Sequence, residues 1–254
     1  MNDIRMSHNR GFVFEHNFID ALDGEIFEDL PNNLRHLIRF MFPKVKKKRV
    51  KCEKYDPRAK ADVAITVGGE KRLLSLKTGN AVAIHAEDIK KFVLFLRAEG
   101  ISVETQKTIL LFQYGDGSLN GNGGKRLPYE KILPMLSERI QRANEELNED
   151  KDLLFKFMDR VFFKGNYKEL EPWDYIYHGN LDYGVICSKE QIKKHLKRRE
   201  YSFIRNLHIG PIHFGPKVRY LSGEGMHPED RNIVNFKWVG LEADLAYIQD
   251  RYDG

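Results

Sequence analysis

Three residues between positions 62 and 77 carry side chains suited to metal-assisted hydrolysis. Asp62 offers a carboxylate, a hard oxygen ligand of the kind that Mg²⁺ prefers. Ser75 and Lys77 end an apolar run and add a hydroxyl and an ammonium group. Charged groups at the ends of apolar strands lose hydration, so they persist more easily when they pair with each other or hold a metal ion. The pattern predicts either a structural ion pair between Asp62 and Lys77 or a metal site.

The elements that must position these residues form a predicted β-hairpin. Gly68-Gly69 can supply the positive φ angles of a two-residue turn. Two apolar-rich runs flank this turn: residues 61–67 and 72–77. Counting outward from the turn places Asp62 across from Ser75, with Lys77 diagonal to it. Because side chains alternate along a strand, these three residues share one face and the apolar residues form the other.

Helical periodicity adds a fourth candidate. From Gly11 to Leu22 the apolar residues fall at helical spacing, and Glu15 lies on a stripe with Phe18 that points inward. Other predicted elements follow along the chain: a helix at 34–42, irregular chain at 80–86, a helix at 87–98, a buried strand at 108–114, a glycine-rich loop at 115–124, helices within 129–163, a strand at 183–187, a basic helix opened by a Ser188–Gln191 capping box, a strand at 233–238 and a helix at 241–252.

In this order and spacing the residues resemble the PD-(D/E)xK (restriction-endonuclease-like) nuclease superfamily. The motifs are RGFVFE with Glu15 on the first helix, Asp62 starting one strand, and Ser75-Leu76-Lys77 ending the next. The resemblance covers residues 10–115. It implies an α/β fold with a central mixed sheet flanked by helices, followed by a C-terminal α+β extension. We expect a nuclease core at 1–125 and an extension at 126–254 that packs on the core and contributes to DNA binding.

The resemblance also implies the chemistry of a magnesium-dependent DNA endonuclease. Asp62 would bind the metal ion directly, the backbone carbonyl of Leu76 would join it, and Glu15 would bind a water or a second ion. Lys77 would position the attacking water and stabilise negative charge in the transition state. Mg²⁺ is the expected ion, with Mn²⁺ as a substitute, and the products would carry 5′-phosphate and 3′-hydroxyl ends.

Two residues depart from the superfamily pattern. Ala61 replaces the proline before Asp62, and Ser75 replaces the acidic residue two places before the lysine. In some restriction enzymes with a Ser-x-Lys strand the next helix supplies the missing carboxylate, and Glu87 could do so here. The alternative is that Glu87 complements the positive dipole at the start of its helix, and that His85 is a local cap or core contact.

Composition favours a nucleic acid partner. The chain of 254 residues has 42 Lys and Arg against 37 Asp and Glu, which gives a net charge of +5. The cations cluster in two basic segments, residues 44–51 and residues 189–199. The residues predicted to contact the DNA backbone are Lys46, Lys47, Lys48, Arg49, Lys193, Lys194, Lys197 and Arg198. Such contacts would give affinity without sequence specificity, and the alternative is that both segments are ordinary solvated surface.

Other classes of protein are disfavoured. The sequence shows neither a membrane-spanning apolar run nor a secretory signal, and its two cysteines, Cys52 and Cys187, predict neither a disulfide framework nor a cysteine zinc site. A reducing cytoplasm is the expected setting. A zinc or nucleotide enzyme is also disfavoured, because His208 and His213 lack zincin spacing and the glycine-rich loop lacks the first glycine of a Walker motif.

Two functions remain open. The first is a restriction or phage-defence endonuclease, which would act as a homodimer to cut both strands and would be accompanied by a cognate methyltransferase. The second is a non-catalytic nucleic-acid-binding protein that kept the nuclease scaffold after losing an acidic residue at Ser75.

Overall fold

The structure is a computed structural model that describes residues 2–79, 83–201, 206–217 and 228–252. Its helices are α1 (Asn2–Asp20), α2 (Asn32–Met41), α3 (Ile89–Ala98), α4 (Val103–Tyr114), α5 (Tyr129–Glu149), α6 (Lys151–Met158), α7 (Lys189–Arg198) and α8 (Leu241–Tyr252). Its strands are β1 (Val50–Lys54), β2 (Val63–Val67), β3 (Glu70–Lys77), β4 (Ala83–Asp88), β5 (Tyr175–Gly179), β6 (Gly184–Ser188), β7 (His208–Ile209), β8 (Ile212–Pro216) and β9 (Ile233–Trp238). Within these ranges no helix has the length and apolar character needed to cross a bilayer.

The chain forms two compact units, each built from separate segments. Unit 1 comprises Met1–Asn80, Asp159–Arg198 and Gly240–Gly254, and unit 2 comprises Ala81–Met158 and Arg199–Val239. The boundary predicted after residue 125 lies inside the first segment of unit 2. A division of function between residues 1–125 and 126–254 stays a prediction.

Unit 1 is built on a five-stranded mixed sheet with the strand order β1-β2-β3-β5-β6. β3 and β5 run parallel, and every other neighbouring pair is antiparallel. A parallel pair needs a long crossover connection, and here that connection contains the first segment of unit 2. The mixed sheet confirms the predicted α/β class.

Helices flank this sheet on both faces. On one face the apolar stripes of α1 and α2 pack against the apolar face of the hairpin, where Phe18, Leu37, Val63, Ile65 and Leu74 have no exposed surface. On the other face α8 packs against β6, and the Cys187 Sγ lies 3.3 Å from the Leu245 carbonyl oxygen. The alternation predicted from the sequence therefore places the apolar hairpin residues in the core.

Unit 2 is built on an antiparallel sheet with the order β4-β9-β8-β7. Its core is a cluster of aromatic rings. Phe92 of α3 lies with its ring centroid 5.0 Å from both Phe214 and Phe236, and Phe157 of α6 lies 5.5 Å from Phe236. α3 and α6 thus cover one face of this sheet.

The strand predicted at residues 108–114 is wrong, because these residues form the second half of α4. Ser102 caps the helix by accepting a hydrogen bond from the Thr105 amide at 3.2 Å, and Gly115 ends it with a φ of 59°. Most side chains of this helix are buried, so its sequence lacks a polar face. A short apolar run of this kind cannot be distinguished from a buried strand by periodicity.

The segment before α3 also differs from the prediction. Residues 83–88 form β4 rather than irregular chain, and residues 80–82 lie outside the described residues. α3 begins at Ile89, because Asp88 caps it by accepting a hydrogen bond from the Lys90 amide at 2.7 Å. Glu87 is therefore a strand residue and not the first residue of a helix.

The later predicted elements are confirmed. α5 and α6 lie within 129–163, β6 and β9 match the predicted strands, and α8 matches the final helix. The capping box at the start of α7 is reciprocal, since the Gln191 amide donates to Ser188 Oγ at 3.1 Å and the Ser188 amide donates to Gln191 Oε1 at 2.8 Å. β1, β5, β7 and β8 were not predicted.

Candidate active site

The turn between β2 and β3 sets the register of the site. Gly68 and Gly69 have φ angles of 59° and 91°, and both positive values are what a two-residue type I′ turn requires. Val67 then pairs with Glu70, and Val63 pairs with Leu74. This is the predicted register, and it carries Asp62 to the level of Ser75.

The Asp62 carboxylate is held through one of its two oxygens. Oδ2 accepts hydrogen bonds from the Leu76 amide at 2.6 Å, from Ser75 Oγ at 3.1 Å and from Lys77 Nζ at 3.3 Å. Among the described residues Oδ1 accepts no hydrogen bond. The side chain is fixed in orientation while one oxygen keeps its full capacity to bind a cation.

Lys77 completes this group. Its Nζ donates to the Leu76 carbonyl oxygen at 2.9 Å as well as to Asp62, and the side chains of Lys77 and Asp62 are both 24% exposed. The ammonium thus lies beside the carboxylate and the carbonyl, with access to solvent. Ser75 is only 1% exposed, so its hydroxyl serves to position Asp62.

Glu15 lies on α1 next to the outer strand of the same sheet. Its carboxylate forms an ion pair with Lys54 Nζ at 3.5 Å, and its side chain is 25% exposed. Lys54 pairs in β1 with Val63, the residue that follows Asp62, and the Tyr55 amide donates to the Asp62 carbonyl at 3.0 Å. Glu15 is therefore associated with the end of the sheet where Asp62 lies, and its role as a ligand stays a prediction.

Glu87 belongs to unit 2, whereas Asp62 belongs to unit 1. Glu87 pairs with Val234 in the β4–β9 ladder, and its side chain is 4% exposed. Its Oε1 lies 3.9 Å from the His85 Nε2, and the His85 ring stacks on Phe236 with centroids 5.7 Å apart. Glu87 precedes Asp88, the residue that caps α3, and the helix-dipole role considered for Glu87 also stays a prediction. Its role as a third carboxylate stays a prediction.

The donor atoms around Asp62 are oxygens, which hard divalent cations take as ligands. Within the described residues there is no group of three or more His, Cys, Asp and Glu side chains that could hold a metal ion. Zinc sites need three or four such ligands from the protein. Mg²⁺ is commonly bound by one or two carboxylates together with water and substrate phosphate oxygens, and the unbonded Oδ1 of Asp62 suits that mode.

His178 was not predicted as part of this site. It pairs with Lys77 in the parallel β3–β5 ladder, so the two side chains lie on the same face of the sheet. The ring is buried, and its Nε2 lies 3.1 Å from the Gly79 carbonyl oxygen. No motif in the sequence could have indicated this neighbour, because the contact depends on a parallel pairing of distant strands.

The two basic segments differ in how their side chains are engaged. Residues 46–49 are all exposed, on the connection between α2 and β1. In α7, Lys193 pairs with Asp159 at 3.2 Å, and Lys194 lies over the Tyr252 ring at 4.7 Å. Lys197 and Arg198 are exposed. Arg49 Nη1 donates a hydrogen bond to the Gly24 carbonyl oxygen, so the cations available to a polyanion are mainly Lys46, Lys47 and Lys48 and the end of α7.

The glycine-rich loop is ordered by an internal carboxylate. Asp116 has no exposed side-chain surface and accepts hydrogen bonds from Ser118 Oγ at 2.8 Å, from the Gly123 amide at 2.9 Å and from Arg231 Nη2 at 2.5 Å. These bonds and the Arg231 charge hold the pKa of Asp116 below its usual value, although burial alone would raise it. The loop amides point at a protein carboxylate, so these contacts have a structural role.

Comparison with known proteins yields a structural similarity alone. No family model matches the chain, and no curated protein has a similar sequence. A solved structure that it resembles is the restriction endonuclease MspI in complex with its cognate DNA, with 16% sequence identity and a TM-score of 0.45 over 88% of this chain and 87% of that chain. What this chain does must therefore be inferred from its own side chains.

Proposed function

We propose that the protein is a magnesium-dependent endonuclease that hydrolyses phosphodiester bonds in DNA. The observation that carries the proposal is the state of Asp62, whose Oδ2 accepts three hydrogen bonds while Oδ1 accepts none among the described residues. The second oxygen of the carboxylate is therefore available to a metal ion. An acid held in this way beside a partly exposed ammonium suits hydrolysis of an anionic substrate.

Each residue of the site would have its own role in hydrolysis. Asp62 Oδ1 and the Leu76 carbonyl would hold Mg²⁺, with Mn²⁺ as a substitute, and Glu15 would hold a water or a second ion. Bound there, the ion would neutralise the phosphate and lower the pKa of a water molecule. Lys77 would orient the attacking water and stabilise the charge that develops on the phosphate oxygens. Ser75 and the Leu76 amide keep the Asp62 carboxylate in place.

DNA would bind through the exposed cations of residues 46–49 and the end of α7. Backbone contacts of this kind release counterions, so affinity falls steeply with salt. Replacing Lys46, Lys47 and Lys48 by alanine is expected to weaken DNA binding and to reduce the slope of log K against log salt by about 0.9 for each phosphate that is no longer neutralised. An unchanged slope would show that these cations do not contact DNA.

The biological setting that we propose is restriction or phage defence in the cytoplasm. A homodimer would supply two active sites for the two strands of a duplex, and a cognate methyltransferase would protect host DNA.

The test is cleavage of supercoiled plasmid with Mg²⁺, with Mn²⁺ and with EDTA. Wild type is expected to cut with either metal ion and not in EDTA, whereas Asp62→Ala and Lys77→Ala are expected to be inactive or nearly so. Matched controls are Lys71→Ala, an exposed lysine on the same strand and face as Lys77, and Asp20→Ala, an exposed acid on α1. Equal cleavage by wild type, Asp62→Ala and Lys77→Ala would exclude this site.

A second candidate function is non-catalytic nucleic acid binding, and it is favoured by the burial of a serine where the superfamily has an acid. In that case Asp62 and Lys77 form a structural ion pair. Wild-type protein would then bind DNA without cutting it in any metal ion.

A further inference from the structure

Unit 2 contains a cavity that the proposed nuclease site does not use. The cavity has a volume of ≈ 330 Å³, within the range of about 300–1,000 Å³ that is usual for small-molecule sites. It lies against β8 and β9 and against α4 and the first residue of α5. The lining residues that carry the argument are Phe112, Tyr129, His213, Lys217, Asn235 and Lys237.

The floor of the cavity is the polar face of the sheet. His213 pairs with Lys237 across the β8–β9 ladder, and Gly215 pairs with Asn235. The neighbouring residues of each strand point to the aromatic core on the opposite face. A side chain at Gly215 would bring its Cβ to 3.0 Å from the Phe112 ring, so the glycine lets this ring lie directly on the sheet.

One wall of the cavity is the partly exposed Tyr129 ring, which packs on Phe112, a residue that is only 2% exposed. The Phe112 and Tyr129 rings meet edge to face, with centroids 5.9 Å apart and an interplanar angle of 68°. The Tyr129 hydroxyl donates a hydrogen bond to Asn206 Oδ1, which fixes the ring. The Tyr129 ring held in this way offers a surface on which a flat aromatic ligand can pack.

The polar groups of the cavity are cationic or uncharged. Lys237 is exposed, and neither it nor the Asn235 amide has a hydrogen-bond partner among the described residues. Lys217 pairs with Asp230 at 3.0 Å. Burial lowers the pKa of His213, and nearby His208 lowers it further, so His213 is neutral at pH 7 and can donate or accept a hydrogen bond.

We infer that this cavity binds one nucleotide, with the base packed against the Tyr129 ring and the phosphate held by Lys237. The Tyr129 ring suits a flat apolar surface in the ligand, the unbonded side-chain amide of Asn235 suits the hydrogen-bonding edge of a base, and the exposed Lys237 ammonium suits an anion. A nucleotide combines these three properties. It could come from an unpaired position of a nucleic acid strand or from the free nucleotide pool. The inference does not depend on the proposed nuclease function.

The test compares two fluorescein-labelled probes that have equal phosphate charge: a 12-residue oligothymidylate and a 12-residue abasic oligomer. Binding is measured by anisotropy in EDTA, so that metal-dependent cleavage cannot occur. Wild type is expected to bind the oligothymidylate about tenfold more tightly, since only this probe has a base that can stack on an aromatic ring. The measurement is then repeated with unlabelled dTMP as a competitor. If dTMP abolishes the difference in affinity between the two probes, a free nucleotide is a ligand of the cavity. If the difference persists, the ligand is a nucleotide within a strand.

Variants of two lining residues test which residue contacts the phosphate of the ligand and which contacts its base. Lys237→Ala is expected to weaken binding of both probes and to reduce the salt slope by about 0.7, while Lys237→Arg restores both. Asn235→Ala is expected to weaken binding of the oligothymidylate alone. Lys91→Ala is the matched control, since Lys91 is exposed on α3, the helix that packs on the opposite face of this sheet.

Equal affinity of wild type for the two probes would overturn the inference, as would a Lys91→Ala effect as large as that of Lys237→Ala. Asp62→Ala is expected to bind both probes as wild type does, even though the proposed nuclease activity should be lost. Loss of plasmid cleavage and loss of base-dependent binding are therefore separate failures.

Discussion

The Asp62→Asn variant separates the structural role of Asp62 from its proposed role in binding a metal ion. The amide oxygen of asparagine can take the place of Oδ2 and accept the hydrogen bonds from Ser75 and the Leu76 amide. The amide nitrogen then takes the place of Oδ1, which accepts no hydrogen bond among the described residues. The variant should fold, but it no longer offers the oxygen that would bind the metal ion.

The expected magnitudes follow from these contacts. A hydrogen bond to a charged group contributes about 1.5–3 kcal/mol and a neutral one about 0.5–1.5 kcal/mol, so each of the two retained bonds is weakened by about 1 kcal/mol. The partly exposed ion pair with Lys77 adds about 0–1 kcal/mol. We expect Asp62→Asn to lower the free energy of unfolding by about 2–3 kcal/mol. Cleavage should fall by about 1000-fold or more, which is about 4 kcal/mol in the barrier.

Urea unfolding and plasmid nicking with Mg²⁺ measure the two effects. Asp62→Ala provides the comparison, because it leaves the Leu76 amide without an acceptor and should cost a further 1–3 kcal/mol or so, about the penalty of one buried unpaired group. Cleavage by Asp62→Asn within about tenfold of wild type would refute the reasoning about Oδ1. An Asp62→Asn protein less stable than Asp62→Ala would refute the reasoning about Oδ2.

Three further predictions concern stability and reactivity. Gly115→Ala should lower the free energy of unfolding by about 2–4 kcal/mol, because φ is 59° and the new Cβ would overlap the Ile132 side chain. The control is Gly117→Ala, since Gly117 also has a positive φ but has open space around it. If urea unfolding shows that both variants lose the same free energy of unfolding, the overlap with Ile132 is not the cause. Burial lowers the pKa of His208, so the unfolded chain takes up a proton first and the free energy of unfolding should fall as pH drops below about 6.5. The fall between about pH 7.5 and 5.5 should be smaller in His208→Gln, and an equal fall would argue against this assignment. Burial raises the pKa of Cys52 to about 12, so a thiol reagent at pH 8 should modify it only after denaturation, and rapid modification of native protein would contradict its burial.

The local part of the site could be predicted because it depends on short-range rules. The glycine pair fixes the turn, the turn fixes the register, and alternation then places Asp62, Ser75 and Lys77 on one face. None of these steps needs a residue outside the hairpin. The orientation of the Asp62 carboxylate could not be predicted, since it depends on which oxygen receives the Leu76 amide.

The parts that could not be predicted depend on distant contacts. β5 pairs with β3 across a gap of about a hundred residues, and the sequence from Tyr175 to Gly179 contains no signal for its partner. His178 was missed for the same reason. The prediction of a strand at 108–114 failed because burial on several sides removes the polar face that distinguishes a helix, although Ser102 and Gly115 mark the ends of α4.

The division of unit 1 into three segments has a consequence for biosynthesis. The strand that bears Lys77 is made early, but the sheet to which it belongs gains β5 and β6 only later, and the Ile186 amide finds its acceptor in Gln249 of the last helix. During synthesis the sheet that contains the hairpin therefore cannot be completed until most of the polypeptide has left the ribosome. A fold that depends on contacts between residues far apart in the sequence is expected to form slowly compared with a helical bundle of equal length.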